Sequence, residues 1–471
     1  MSSREVLSIH IGQAGVQMGA AAWELYCMEH GISNEGQLNL DASGSEVRRE
    51  SNDSGIAHVD NCSLEPCSTF FAENGAGKFT PRALFIDLEP NVVDVIRTGD
   101  GRRLFHPDQM ISGQEDAANI FARGCFSVGR TIGDRVEDRI RKMTEHCDSL
   151  QGFIITDSSG GGTGSGFGSK LLNVLDVDFA KEIKMEVCVQ PSPNMSSAVV
   201  EPYNGILHHG YVNGSSGQRN GCCFIVQNES MYGVCKKQLD IERPSFSHVN
   251  ALLAQVTSSL TASLRFPGTL NVDLAEFQTN LLPFPSLRYP LTSFAPLISV
   301  EKAHYEQQTT ATITRQCIEK EQQLACCDPA RGKYMTCCFL YRGDISPSDV
   351  YKSRSTLKQM RSMQFVDWCP SGFKVGINRV APVVTPGSGM APVPRSACLL
   401  YNSSAISQTW ENTIKQFNML MHKRAFVHWY VGEGMEEGEF TESLENILVM
   451  QKDYEEATSD TVVADESEEE F

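Results

Sequence analysis

The sequence predicts an α/β protein, and three observations carry that prediction. Its first two-thirds alternate short apolar runs with helical stretches, the pattern of βαβ units around a parallel sheet. One amphipathic segment near the middle, "FSHVNALLAQVTSSLTASLRF", has a single arginine and no acidic residue. From Leu281 onward proline becomes more frequent among strand-like runs, and the chain ends in long helical stretches and an acidic tail. The predicted architecture is a parallel-sheet domain over 1–227, then a second α/β domain over 228–403 joined through a central core helix at 246–265. A C-terminal helical hairpin over 404–458 and a disordered acidic tail at 459–471 complete it.

"EVLSIHI" reads as the first strand, followed by "GQAG" and a helical pattern through Val16, Trp23 and Cys27. "ALFIDL", "GFIIT", "MEVCV" and "CCFIV" are further short β-like runs bounded by Gly, Pro or acidic residues. In the core helix Val249, Leu252, Leu253, Val256, Leu260 and Leu264 share one face, with small residues on the others. Such a helix is expected to be buried on most sides, between two domains. "YMTCCFLY" and "GFKVGI" are strands of the second sheet. Residues 42–68 are polar and aperiodic and read as a long loop excursion, disordered for want of anchoring apolar residues. "HHGYVNGSSGQRNG", from His208, reads as a smaller loop, with His208 and His209 facing solvent.

Composition narrows the function. With 41% hydrophobic and 21% charged residues the chain is globular, and no apolar run approaches the ~18 residues of a membrane span. "MSSREVLSIH" lacks the uninterrupted apolar stretch of a secretory signal, so the sixteen cysteines are expected to be reduced thiols in the cytoplasm. From Val431 to the end there are fifteen Asp and Glu against one Lys, so −14 of the net −18 lies there. A nearly balanced body with a strongly acidic end argues against nucleic acid and for basic protein partners.

The sharpest local feature is "TDSSGGGTGSGFGSKLL", with six glycines between Gly160 and Gly168. Gly loses more backbone freedom on folding than any other residue, so such a cluster needs a reason. A flexible linker is excluded by the strand before it and the helix after it. The G-x-G-x-x-G fingerprint has no register here. The P-loop pattern fails in "ENGAGKFT", where Ala72 replaces the first Gly and Phe79 the final Ser or Thr. Two readings remain: a tight turn with no ligand, or a strand, a glycine loop and a helix N-terminus whose backbone N–H groups turn toward an anion such as a phosphate. The cysteine pairs offer no competing metal site. Cys62 and Cys67, and the pairs in "CCDPARGKYMTCC", lack C-x₂-C spacing, and adjacent strand residues face opposite ways.

"GGGTGSG" resembles the signature of the tubulin and FtsZ family of GTPases. "GQAGVQ", "FIDLEP", "DAAN", "VVEPYN", "LDIERP", "SLRFPGTLNVDLAEFQTNL", "QFVDWCPSGFKVGIN" and "KRAFVHWYVGEGMEEGEF" extend that resemblance over nearly the whole chain. Within the family the chain is most similar to a divergent α-tubulin isotype. Glu276 stands where β-tubulins carry lysine, Val383–Ser396 preserves the longer loop of the α type, and the chain ends in "EEEF". The resemblance implies that 1–227 is a GTP-binding domain holding GTP and Mg²⁺. It also implies a heterodimer with β-tubulin, head-to-tail polymerisation into cytoplasmic microtubules of the cytoskeleton, and motor and microtubule-associated proteins at the tail. The alternative is a non-polymerising tubulin-like GTP-binding protein.

The resemblance also assigns roles residue by residue. Gln13, Ala14, Ser158, Gly161, Gly162, Thr163 and Gly164 contact phosphates. Asn119 contacts the γ-phosphate, while Glu89 and Asp116 are associated with Mg²⁺. Ser197 and Glu201 meet the ribose. Asn228 and Asn250 read guanine, because an amide offers both a donor and an acceptor. Phe246 stands where the family usually has a Tyr that stacks on the base. Glu276 is the catalytic residue, acting in trans on the nucleotide of the next dimer's β subunit.

Overall fold

The structure, a computed structural model, describes residues 4–38, 65–75, 77–192, 194–214, 221–358, 360, 363–370 and 372–459. Its first half is built from β1 (Glu5–Ile11), α1 (Gly12–His30), a hairpin of β2 (Phe71–Asn74) and β3 (Lys78–Pro81), then β4 (Ala83–Asp87) and α2 (Pro90–Thr98). There follow β5 (Met110–Ser112), α3 (Arg130–Glu145), β6 (Leu150–Ser158), α4 (Gly168–Asp178), β7 (Ile183–Gln190), α5 (Glu201–Gly214), β8 (Gly221–Gln227), α6 (Asn228–Gln238) and α7 (Phe246–Arg265). Among the described residues β1 and β4–β8 form one six-stranded parallel sheet in the order β5-β4-β1-β6-β7-β8. Both faces are covered, as parallel sheets require. Leu7, Ile9 and Ile11 of β1 join Ile132, Val136 and Ile140 of α3 and Leu171 and Leu175 of α4. Val6 joins the opposite core, with Trp23 and Tyr26 of α1 and Leu252 and Val256 of α7.

The second sheet comprises β9 (Gly268–Leu270), β10 (Leu291–Ala295), β11 (Tyr334–Gly343), β12 (Phe373–Asn378) and β13 (Arg395–Ser403), ordered β10-β13-β11-β12-β9. The helices α8 (Leu274–Leu281), α9 (Thr310–Gln316) and α10 (Pro347–Lys358) accompany it. The chain then runs through α11 (Ser407–His422), α12 (Val427–Gly432) and α13 (Gly438–Thr458), with α11 and α13 packed against α5. No helix among the described residues is long and apolar enough to cross a membrane.

α7 is buried along most of its length, as its nearly uncharged sequence predicts. A buried ion network ties it to both neighbours. Glu29 at the end of α1 meets Arg265 of α7 at 2.5 Å and Arg342 of β11 at 2.9 Å, and Ser258 Oγ donates to both of its oxygens. Burial alone would raise the Glu29 pKa, but the two guanidinium groups and the hydroxyl outweigh it and hold the carboxyl at about 2.

Two sequence expectations change. Residues 201–214 are helical, and His208 and His209 are 0% and 1% exposed, so the reading of an exposed loop is wrong. Their neighbours explain it: His208 turns inward onto Ser165, Ser169 and Glu186, while Tyr289 and Trp410 cover His209. Of the supposed excursion at 42–68, residues 65–69 form a 3₁₀ turn with Cys67 buried, while 42–64 lie outside the described residues. "ENGAGKFT" is the β2–β3 hairpin, with Gly77 at φ +72°. The tail after Ser459 also lies outside the described residues. Cys337 and Cys338 of β11 enter separate apolar cores, as strand alternation predicts.

Candidate functional site

In a parallel sheet the C-terminal strand ends lie on one edge, and the crevice opens where the strand order reverses. Here that point lies between β1 and its neighbours β4 and β6. Each of the six strands sends its C-terminal loop to this edge, and all six loops carry residues singled out from the sequence. Gln13 and Ala14 follow β1, Glu89 follows β4, and Asp116 and Asn119 follow β5. Ser158 to Gly164 follow β6, Ser197 and Glu201 follow β7, and Asn228 follows β8.

The loops are fastened to one another beneath the crevice. Asn204 of α5 is the main fastener. Its amide nitrogen donates to Gly160 O at 2.8 Å and to Asn119 O at 2.7 Å. Its carbonyl accepts from Phe121 N at 3.1 Å and from the Tyr430 hydroxyl of α12 at 2.8 Å. Sequence reading missed Asn204, although "VVEPYN" contains it; a fully paired buried amide has no local signature. Ala118 and Asn119 adopt φ of +48° and +56°, so the β5 loop turns sharply where it meets the glycine segment.

After β6 the chain makes a π-helical turn, Thr163–Phe167, before entering α4, and packs it against a second π turn at Arg123–Ser127. Such turns recur at functional sites because they re-aim backbone groups. The glycines there are not equivalent. A Cβ at Gly161 would meet nothing within 4 Å, so it would stand in the open crevice. A Cβ at Gly162 would strike Ala117 Cβ and Ile120 N, both at 2.8 Å. Gly161 therefore faces open space, while the missing side chain of Gly162 lets two loops close.

Around this cradle the polar groups separate by burial. Asp87, at the end of β4, is 3% exposed and accepts from Leu88 N at 2.8 Å. Burial pushes its carboxyl up to about 6, against the pull of the Glu89 and Leu88 amides and the Thr163 hydroxyl. Asp116 and Asn119 are exposed, and Glu89 is half-buried at the N-cap of α2. Glu201 is buried at the start of α5, where its Oε1 accepts from Ser197 N at 2.8 Å and Ser197 Oγ at 2.9 Å. Asn228 opens α6, and Phe246 and Asn250 lie in the first turns of α7, all beside the β8 end of the sheet. Phe246 is 60% exposed and meets the ring of Tyr232 edge-on. Glu276 is not part of this assembly. It lies on α8, in an ion pair of 2.7 Å with Lys374 of β12.

Residues 5–236 match the model of the Tubulin/FtsZ family, GTPase domain, and residues 285–415 match that of the Tubulin C-terminal domain. The first match spans all six strand-end loops and implies guanine-nucleotide binding. Phe246, Asn250 and Glu276 fall between the two matches.

Proposed function

That the chain belongs to the Tubulin/FtsZ family, through a GTPase domain and a Tubulin C-terminal domain, is the premise from which we propose that it is a divergent α-type tubulin subunit. It binds GTP with Mg²⁺, pairs with β-tubulin, and polymerises head-to-tail into cytoplasmic microtubules. The observation that carries the nucleotide reading is the bare face of Gly161, open for 4 Å at the edge where all six strand-end loops meet.

The residues present fit such a ligand. Gly161, Gly162, Thr163 and Gly164 offer backbone N–H groups to phosphates at the entrance to α4, with Gln13, Ala14, Ser158 and Asn119 around them. Glu89 and Asp116 would hold Mg²⁺, which beside phosphates needs few carboxylates and keeps several waters. Asp87, 3% exposed at the end of β4 two residues before Glu89, adds a carboxylate of the kind Mg²⁺ takes. Glu201 Oε1 is engaged by Ser197, so its other oxygen is the one a ribose hydroxyl would reach. Asn228 and Asn250 would address the guanine edge and Phe246 its face, for which the ring suffices without a hydroxyl.

Glu276 would act on a neighbouring subunit's nucleotide, orienting or deprotonating the attacking water, and Lys374 fixes its carboxylate meanwhile. This reading explains why hydrolysis would wait for longitudinal assembly. The acidic tail would recruit basic motor and microtubule-associated proteins through salt-sensitive attraction. Co-expression with a β-tubulin tests the whole reading: a heterodimer on gel filtration that assembles with GTP is expected. A chain that stays monomeric, or pairs without ever polymerising, would leave the non-polymerising alternative.

A further inference from the structure

Directly beneath the glycine loop lies a group of side chains that the nucleotide reading does not use. Glu186 and Cys188 alternate along β7 and so project to the same face of the sheet. Asp157 of β6 is the register partner of Cys188 and joins them on that face. His208 of α5 closes the group from above. Each is at most 1% exposed, and one ligand atom from each of the four lies within 4.8 Å of all the others.

We propose that Asp157, Glu186, Cys188 and His208 form a structural zinc site. Sulfur, imidazole nitrogen and carboxylate oxygen are the donors Zn²⁺ takes, and four protein ligands make a closed structural site rather than a catalytic one. Bonds of ~2.0–2.3 Å in a tetrahedron put ligand atoms roughly 3.3–3.6 Å apart. His208 Nε2 and Glu186 Oε1 already stand at 3.2 Å, and the widest pair would need to close by about 1 Å.

Three further observations point to a cation. His208 Nδ1 lies 2.8 Å from Ser169 Oγ and 3.1 Å from Ser165 O; the Ser169 hydroxyl donates to Ser165 O at 2.6 Å, so both oxygens can accept from an Nδ1–H, the tautomer that turns the Nε2 lone pair to the carboxylates. That is the tautomer metal-ligating histidines adopt, held by a backbone carbonyl behind the ring. Both oxygens of Asp157 are buried without a hydrogen bond of ordinary geometry, although the Cys188 thiol is close enough to lower its pKa. A bare buried carboxylate is costly unless paired with a charge or a metal. The charges also close: two carboxylates and a thiolate against a dication leave one negative charge, and Arg288 stands 3.7 Å from Glu186 Oε2 to balance it.

The competing arrangement is a metal-free network in which a protonated His208 bridges Glu186 and Asp157. Without metal, burial lowers the His208 pKa, but hydrogen bonds with Cys188 and Glu186 and the neighbouring charges raise it well above the ordinary value. The two arrangements differ in what they bind. A zinc ion would clamp α5 to the strand that leads into the glycine loop, through Asp157 on one side and the Ser165 contact of His208 on the other.

The test uses the full-length chain with whatever partner it copurifies with, prepared without chelator and analysed by plasma mass spectrometry. Stoichiometric zinc is expected, and Cys188→Ser together with Asp157→Asn should abolish it while leaving guanine-nucleotide content in place. Cobalt(II) exchanged into the wild-type protein should show a thiolate charge-transfer band, a readout that does not depend on any variant folding. Folded protein that carries no zinc and gives no such band after exposure to excess metal would overturn the proposal. So would zinc content unchanged in a folded double variant.

Discussion

Replacing Gly161 and Gly162 singly by alanine separates the ligand's space from the protein's own. At Gly162 the added methyl would lie 2.8 Å from Ala117 Cβ and Ile120 N. That is about 1 Å inside ordinary contact, and overpacking of this kind costs ~1–3 kcal/mol. At Gly161 the methyl meets no protein atom, so folding should be spared or gain ~0.4–1 kcal/mol from a stiffer unfolded chain. The same methyl would stand where phosphate oxygens are proposed to approach. Losing one charge-assisted hydrogen bond of ~1.5–3 kcal/mol weakens nucleotide binding roughly 10- to 150-fold. Thermal melts and chromatography of nucleotide extracted from gel-filtered protein read the two effects apart. Gly161→Ala should keep its melting temperature relative to nucleotide-free wild type yet lose nucleotide, whereas Gly162→Ala should melt lower. Full nucleotide content in Gly161→Ala would refute the assignment of the open face to phosphate.

Three other outcomes are expected. Asn204→Ala should lower stability by about 3 kcal/mol or more, because it strips partners from Gly160 O, Asn119 O, Phe121 N and Tyr430; chemical denaturation measures it, and a loss under 1 kcal/mol, the ~0.5–1.5 of a single net bond, would deny its fastening role. Glu276→Ala should leave nucleotide content and assembly intact while slowing phosphate release in the polymer by ~10²–10⁴-fold, and wild-type release would move the chemistry elsewhere. Glu29 has a folded pKa held below its unfolded value, so its stabilisation is present above about 4.5 and is lost as pH falls toward about 2. The stability gap between wild type and Glu29→Gln should therefore narrow over that window, and a gap independent of pH would contradict the ion network.

The parallel sheet was legible because buried strands write themselves as apolar runs: "EVLSIHI", "ALFIDL", "GFIIT", "MEVCV" and "CCFIV" all lie in it. Met110–Ser112 escaped notice because a three-residue edge strand has no period to read, and Leu291–Ala295 and Arg395–Ser403 because neither run alternates cleanly. The glycine loop announced itself by composition. Which of its glycines faces open space did not, since that depends on Ala117 and Ile120, which are more than forty residues away in sequence. His208 and His209 were misread for a related reason. Polar pairs are usually solvated, and only the tertiary packing shows that these are not, with His208 against Glu186 and Ser165 and His209 against Tyr289 and Trp410. The Asp157, Glu186, Cys188 and His208 group combines residues from three separate elements with no spacing motif, so it emerges only in three dimensions.

The most direct test of the central claim is the identity of the small molecule carried by the purified, full-length chain. Native mass spectrometry, followed by chromatography of the released ligand, should find a guanine nucleotide with magnesium. That ligand should disappear in Gly161→Ala and persist in Glu276→Ala. An adenine or nicotinamide nucleotide, or a well-folded chain that retains and rebinds no guanine nucleotide, would contradict the account.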